Sequence, residues 1–276
     1  MINKFKTDEI VSCKDYAQLK KEELKERIAQ HSNKPVLVVI QVGDDPASNS
    51  YIKGKKKDCE EVGIECRHLK LDEAVETYEL EDIIGELNDD KTVHGIIVQL
   101  PLPKHLDEEY LTSIIYAEKD VDGFCFDSHF KPCTPKGIID WLEYNGYEFE
   151  GKHAVIAGRS NIVGKPLINM LIDRNATVAC LHSKSKETKF YTERAQLFIS
   201  AIGKPKFWDG ADFRNCAEVI VDVGINRDKD GKLCGDVDAE SFERYPADTY
   251  ITPVPGGVGL LTRVALLENV CAAAHA

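Results

Sequence analysis

Residues 153–166 read His153-Ala154-Val155-Ile156-Ala157-Gly158-Arg159-Ser160-Asn161-Ile162-Val163-Gly164-Lys165-Pro166. The first five suit a buried strand, and two glycines then bracket a turn. A helix is predicted from Pro166 to about Arg174, with proline well placed in its first turn. Strand, glycine turn and helix in that order can hold a phosphate, because helix N-terminal amides and backbone left bare by glycine both favour an anion. The turn is not the G-x-G-x-x-G fingerprint, and α/β proteins that bind no nucleotide also use such turns, so both readings stand at this point.

The same rhythm extends in both directions. Downstream, strands are predicted at Thr177–Leu181, Leu197–Ala201 and Val219–Val223, before a stiff, open loop at Ile251–Gly259 and a closing helix from about Thr262 to Ala274. Upstream, Lys14–His31 carries Ala17, Leu24 and Ile28 at helical spacing. Pro35–Val42 is a continuous apolar run, as expected of a strand covered on both faces. A helix at Ser48–Val62, a strand at Ile64–Leu71, a helix at Thr77–Asn88 and a strand at Val93–Leu100 complete a β-α-β-α-β alternation, which implies a parallel sheet with crossover helices. The fold class is therefore α/β in two domains with parallel sheets; where the Gly158 turn is read as phosphate-binding, the second is a Rossmann-like doubly wound dinucleotide-binding domain and the first an N-terminal α/β substrate domain. Proline and glycine punctuation between Lys119 and Pro135 marks the boundary. One domain is expected over 1–120 plus the closing helix at about 262–276, the other over 121–261, with a cleft between them.

The chain of 276 residues carries 47 acidic and 35 basic residues, a net charge of −12, which repels nucleic acid and anionic membranes. Its apolar runs are strand-sized, well short of the roughly 20 residues that span a bilayer. The start Met1-Ile2-Asn3-Lys4-Phe5-Lys6-Thr7-Asp8 has no apolar core behind its positive charge, so a cytoplasmic protein is expected rather than a secreted one. Nine irregularly spaced cysteines without a Cys-x-x-Cys pair fit free thiols, and no metal site is expected.

Chemistry concentrates in a few places. In Ser48-Asn49-Ser50-Tyr51-Ile52-Lys53-Gly54-Lys55, Tyr51 and Lys55 share a helix face. A lysine beside a polar, partly buried partner can move protons near neutrality, although the spacing alone favours a solvated face. Gly54 inside that helix costs about 1 kcal/mol relative to alanine, for which close approach of a neighbour is one reason and simple tolerance another. Gln99 closes a strand before Leu100-Pro101-Leu102-Pro103, and Asp122 sits in a polar turn. Strand Thr177–Leu181 runs into His182-Ser183-Lys184-Ser185-Lys186, where an NAD-binding sheet tends to place an acid. Hydroxyls and cations there, with Arg159 nearby, lean towards a 2′-phosphate, and so towards NADP over NAD.

Taken together, Gly43–Ser48 leading to Tyr51 and Lys55, Val98–Pro103, Lys119–Gly123, Gly158–Pro166, Val221–Asn226 and Thr252–Gly259 resemble the bifunctional methylenetetrahydrofolate dehydrogenase/methenyltetrahydrofolate cyclohydrolase family, in its order, from about residue 35 onward. The resemblance implies NADP-dependent oxidation of 5,10-methylenetetrahydrofolate to the methenyl cation, then hydrolysis to 10-formyltetrahydrofolate. By that likeness Lys55 would carry the proton transfers of hydrolysis, Gln99 would hold and tune it, Tyr51 would contact the folate, and Asp122 would bind the pterin's donor edge. Val98, Leu100, Pro255, Gly256 and Gly257 would line the folate, and Gly158, Arg159, Ser160, Ser183 and Ile225 would hold the dinucleotide. It also implies a homodimer and folate substrates that include polyglutamylated forms, with Lys53–Lys57 attracting the tail. The closing loop reads Gly259-Leu260-Leu261-Thr262 where the family usually has a Pro-Met pair, which implies a differently shaped pocket.

A short-chain dehydrogenase also uses Tyr-x-x-x-Lys, but there the pair follows the dinucleotide motif, whereas Tyr51 precedes Gly158. A shikimate-dehydrogenase-like oxidoreductase and a non-catalytic folate or NADP-binding paralogue are the remaining alternatives.

Overall fold

A computed structural model of the chain describes residues 10–31, 33–213, 217–244 and 249–275. Residues 1–8, read above against secretion, lie outside them. The chain divides into two compact units, one of Gln18–Cys133 with Arg263–Ala276 and one of Met1–Ala17 with Thr134–Thr262.

In the unit built on Gln18–Cys133, three parallel strands pair in the order β2-β1-β3, namely β1 (Val36–Val42), β2 (Glu65–Leu71) and β3 (Gly95–Val98). Helices α2 (Pro46–Val62) and α3 (Thr77–Asp89) make the crossovers. Every residue of β1 is buried, which is why the strand reads as an unbroken apolar run. Alternate side chains serve different faces. Leu37 and Val39 pack with Ile52 and Cys59 of α2, whereas Val38, Ile40 and Val42 pack with Leu80 and Ile84 of α3. A short helix, α4 (Glu108–Ser113), was not expected; Asp107 caps it by accepting Tyr110 N at 3.0 Å.

The other unit holds five parallel strands in the order β10-β7-β6-β4-β5: β4 (His153–Ala157), β5 (Thr177–Leu181), β6 (Leu197–Ser200), β7 (Val219–Asp222) and β10 (Tyr250–Ile251). A small antiparallel pair, β8 (Asn226–Arg227) and β9 (Leu233–Cys234), lies between β7 and β10 in sequence. Helices α5 (Cys133–Tyr144), α6 (Gly164–Ile172) and α7 (Thr188–Thr192) complete it. Period-two alternation again splits the sheet, with Ala154, Ile156, Leu197 and Ile199 in one core and Val155, Ala157, Phe198 and Ile220 in the other. The chain leaves β4 to one side to form β5 and returns to the other side to form β6. In sheets of this kind ligands bind outside the carboxyl ends of the strands at that reversal.

Two helices contribute to both units: α1 (Cys13–Ala29) gives Cys13 and Tyr16 to one core and Leu24 and Ile28 to the other, and α8 (Val258–Ala273) divides in the same way. The division after residue 120 expected from the punctuation falls instead after Cys133. The intervening segment is tied to the first sheet's unit, because Asn269 Nδ2 donates to Val121 O at 2.9 Å and to Lys131 O at 3.3 Å. Residues 10–17 go with the five-stranded unit, where Trp141 Nε1 donates to Val11 O at 2.8 Å and Tyr16 meets Tyr144 edge-on. Helix α6 starts at Gly164 rather than Pro166, and α8 at Val258 rather than Thr262. Among the described residues all cysteines are free, no group of His, Cys, Asp and Glu is placed to hold a metal, and no helix is long and apolar enough to cross a membrane.

Candidate active site

Helix α2 starts where Asp45 accepts Ser48 N at 2.7 Å, with Pro46 in its first turn, and stops at Gly63 with φ 91°. Ile52, Lys55, Cys59 and Val62 then form its buried stripe, while Lys53, Lys56 and Lys57 are exposed. Lys55 is only 8% exposed, so it is not part of a solvated face; Tyr51, one turn earlier, is 36% exposed.

The Lys55 ammonium donates to Gln99 Oε1 at 3.1 Å. The position of Gln99 is set by the sheet, since its N–H gives to Ile40 O at 2.8 Å just beyond β3. Its Nε2 donates to Leu100 O at 2.7 Å, and that carbonyl also receives Ser48 Oγ at 3.4 Å. Val98 is buried beside it and Leu100 half-buried, before a cis Leu100–Pro101 bond.

Asp122 lies in a turn built by another acid. The buried Asp120 carboxylate accepts Gly123 N at 3.1 Å and Cys125 N at 2.8 Å. Gly123 has φ 75°, and a Cβ there would meet Pro132 N at 2.6 Å, so only glycine lets the turn close. Desolvation pushes the Asp122 carboxyl above the ordinary carboxylate range, and the nearby Lys55 charge pulls part of that back. Desolvation also raises the Tyr51 phenol, against the charge of Arg263 and with that of Asp122. Tyr51, Lys55, Val98, Gln99, Leu100 and Asp122 are thus gathered in one unit.

Three contributors to this arrangement carry no role in the sequence reading. Ser48 had a visible signal, a hydroxyl in the first turn after a capping aspartate. Asp120 lies in the same polar turn as Asp122, with no local cue to its burial. The Asp58–Arg263 ion pair, at 3.1 Å, joins residues too far apart in the chain to suggest each other.

In the five-stranded unit, Gly158 follows β4 with φ 118°, and a Cβ on it would strike Ala201 O. Gly164, which opens α6, could carry none without striking Gly158 O. Ser160 Oγ accepts from Val163 N at 3.2 Å and Gly164 N at 3.4 Å. Arg159 and Ser160 are exposed, and the Arg159 charge reaches Cys180 on β5, offsetting part of the rise that desolvation gives its thiol. Past β5, His182 N donates to Ser185 Oγ at 3.0 Å, leaving Ser183, Lys184 and Lys186 exposed.

Ile225, also exposed, sits on a loop pinned from below. Buried Asp222 accepts Gly224 N at 2.9 Å, Asp236 N at 3.0 Å and Val237 N at 2.8 Å. Asp236 in turn accepts Ser200 Oγ at 2.8 Å and Asn226 Nδ2 at 2.9 Å. Desolvation pushes the Asp222 carboxyl up to about 6 in spite of its three N–H donors. Pro255 follows a cis peptide bond, Gly256 has φ 99°, and both are exposed, whereas Gly257 is buried against Pro253 O. Bare glycine backbone at the sheet's point of reversal, with exposed cations beside it, fits a phosphate-bearing dinucleotide.

Comparison with known proteins agrees with both halves. Residues 11–122 match the catalytic domain, and residues 132–276 the NAD(P)-binding domain, of the tetrahydrofolate dehydrogenase/cyclohydrolase family. The chain is similar to the bifunctional protein FolD of Dechloromonas aromatica, 44% identical with 98% of each chain covered. Its structure resembles the bifunctional FolD methylenetetrahydrofolate dehydrogenase/cyclohydrolase of Campylobacter jejuni, at 42% identity and TM-score 0.91 with 96% of this chain and 97% of that one covered. It also resembles the Trypanosoma brucei dehydrogenase-cyclohydrolase solved with NADP and an inhibitor, at 30% identity and TM-score 0.88 over 96% and 97% of the two chains. The chain belongs to the tetrahydrofolate dehydrogenase/cyclohydrolase family.

Proposed function

We propose that the chain oxidises 5,10-methylenetetrahydrofolate to the methenyl cation with NADP+, and then hydrolyses that cation to 10-formyltetrahydrofolate. The observation that carries this reading is the buried Lys55 ammonium, held by Gln99 with the Asp122 carboxyl close by. Gly158, Arg159 and Ser160 would hold the phosphates of a dinucleotide whose nicotinamide would supply the hydride acceptor for the first step.

The chain's own residues do the rest. Asp122, half-buried and partly desolvated, would accept the pterin's amino and ring N–H groups in two places. Tyr51, partly open on α2, contacts the folate. In the hydrolytic step water adds to the methenyl carbon. Acting as the free amine, Lys55 Nζ takes one proton of this water and returns it to the ring nitrogen as the nitrogen–carbon bond breaks, while the hydroxyl left on that carbon gives its proton to solvent and becomes the formyl C=O. Gln99 aims the amine throughout. Val98, Leu100, Pro255, Gly256 and Gly257 line the folate, and Gly158, Arg159, Ser160, Ser183 and Ile225 hold the dinucleotide.

NADP is favoured over NAD because the exit of β5 presents Ser183, Lys184 and Lys186 with Arg159 exposed nearby, a set suited to a 2′-phosphate. Family likeness supports a homodimer, polyglutamylated substrates and a cytoplasmic setting, and the net charge of −12 argues against nucleic-acid partners.

Purified protein given methylenetetrahydrofolate and NADP+ is expected to accumulate reduced nicotinamide, and to hydrolyse added methenyltetrahydrofolate faster than buffer does. No reduced nicotinamide together with hydrolysis at the uncatalysed rate would leave a binding paralogue instead. A steady-state comparison of NADP+ with NAD+ tests the cofactor preference.

A further inference from the structure

The face of α2 that carries Tyr51 and Lys55 continues through Gly54 to Asp58, residues three, four and seven positions from Tyr51 and so on one stripe. Arg263, near the start of α8, lies along that stripe. A Cβ on Gly54 would collide with Arg263 Nη1 and would stand 3.5 Å from its Cζ and 3.8 Å from its Cδ. The glycine thus makes room for a guanidinium pressed onto the helix backbone. Arg263 Nε is 3.1 Å from Asp58 Oδ2, and that buried carboxylate also has Lys21 Nζ 3.4 Å from its other oxygen. Asp58 therefore grips the guanidinium by its Nε side. Among the described residues no acceptor meets Nη1 or Nη2, and the Arg263 side chain keeps 25% of its surface exposed.

A guanidinium held at one edge, with its outer donors free, is a preorganised fork for a carboxylate. Its charge already acts on the Tyr51 phenol, so the fork lies near the aromatic contact that the proposed reading gives to the folate. In a folate the group joined to the aminobenzoyl ring is a glutamate. We propose that Arg263 is a specificity-determining residue that takes a carboxylate of the substrate's first glutamate through its free Nη edge, with Gly54 and Asp58 holding it in place. This rests on the reading in which Tyr51 contacts the folate. The exposed Lys53, Lys56 and Lys57 remain for any further glutamates.

The test compares methenyltetrahydrofolate with the matching methenyltetrahydropteroate, which lacks the glutamate, in steady-state hydrolysis by wild type, Arg263→Met and Gly54→Ala. Wild type is expected to show the lower KM with the glutamate-bearing substrate. Arg263→Met should raise that KM about tenfold or more, leave the KM for the pteroate unchanged and keep kcat within about twofold for both. Gly54→Ala keeps the arginine but displaces it, and should reproduce the same selective rise. Arg263→Lys should recover only part of the loss, because a single ammonium cannot form the fork.

Equal KM values for the two substrates in wild type, or a rise in Arg263→Met that is the same for both, would overturn the proposal and leave Arg263 a structural partner of Asp58. Absence of hydrolysis in wild type would instead remove the enzyme reading itself. Thermal melting of each variant reports misfolding separately from the KM comparison.

Discussion

Lys55 and Gln99 are joined through an amide oriented from its far end: Gln99 Nε2 gives its hydrogen to Leu100 O at 2.7 Å, which leaves Oε1 to face Lys55 Nζ at 3.1 Å. Gln99→Glu removes that donor and places a charge against the ammonium, which stabilises the protonated lysine. Cyclohydrolase turnover is expected to fall by about a hundredfold or more, measured as decay of methenyltetrahydrofolate. Turnover at the wild-type rate would show that the amide does not tune the lysine.

Lys55→Met keeps most of the methylene packing and deletes the amine. Hydrolysis should drop by roughly two to four orders of magnitude, the usual contribution of a positioned acid–base group. NADP+ affinity, followed by fluorescence, should stay unchanged. Unaltered hydrolysis would take the proton transfers away from Lys55.

Asp120→Asn leaves one oxygen where two backbone N–H groups need acceptors and turns an NH2 towards the other donor. The turn that carries Asp122 should lose about 1–3 kcal/mol, read as a lower urea midpoint. The KM for folate should rise with it. A midpoint equal to wild type would mean that Asp120 does not hold the turn.

Asp222 gives a pH dependence with a defined sign. Its folded-state value is raised from 3.8 to about 6, so the folded chain binds the proton more tightly than the unfolded one. The stability linked to that proton is complete below about pH 4 and is lost as pH rises through about 6. Relative to Asp222→Asn, which does not titrate, wild type should lose on the order of 3 kcal/mol between about pH 4 and pH 7. Parallel stability curves for the two proteins would contradict the shift.

Gly158→Ala sets a side chain at φ 118° against Ala201 O. Strain of about 1–3 kcal/mol is expected, together with weaker NADP+ binding by calorimetry. Wild-type affinity would place the dinucleotide away from this turn.

How much of this could be read from the chain depended on whether the cue was local. Strands β1 and β4 were legible because burial on both faces writes itself as a continuous apolar run, and the Gly158 turn because glycine marks backbone that no side chain can share. Helix α4 was missed because its six residues are too short to show a period and only Asp107 announces it. For Lys55 the spacing gave the helix face but not its burial, which depends on strands brought in from elsewhere. The Asp58–Arg263 and Asp222–Asp236 contacts arise only on folding. Proline and glycine near residue 120 marked a turn correctly, but the contacts of Asn269 with Val121 and Lys131 carry the unit on to Cys133.

The shared use of α1 and α8 bears on how the chain is made. The core around β1 and β3 is completed by Ala265, Leu266, Val270 and Cys271, and the five-stranded unit's core includes Cys13 and Tyr16. The unit synthesised first therefore waits for residues made last, and a ribosome-bound intermediate that has finished β3 still exposes the apolar surface that α8 will cover. Cutting the gene at the boundary would yield two pieces, each missing part of its own interior. Separating the halves by design would require moving residues 263–273 to the piece that holds β1 and β3, and residues 10–17 to the piece that holds the five-stranded sheet.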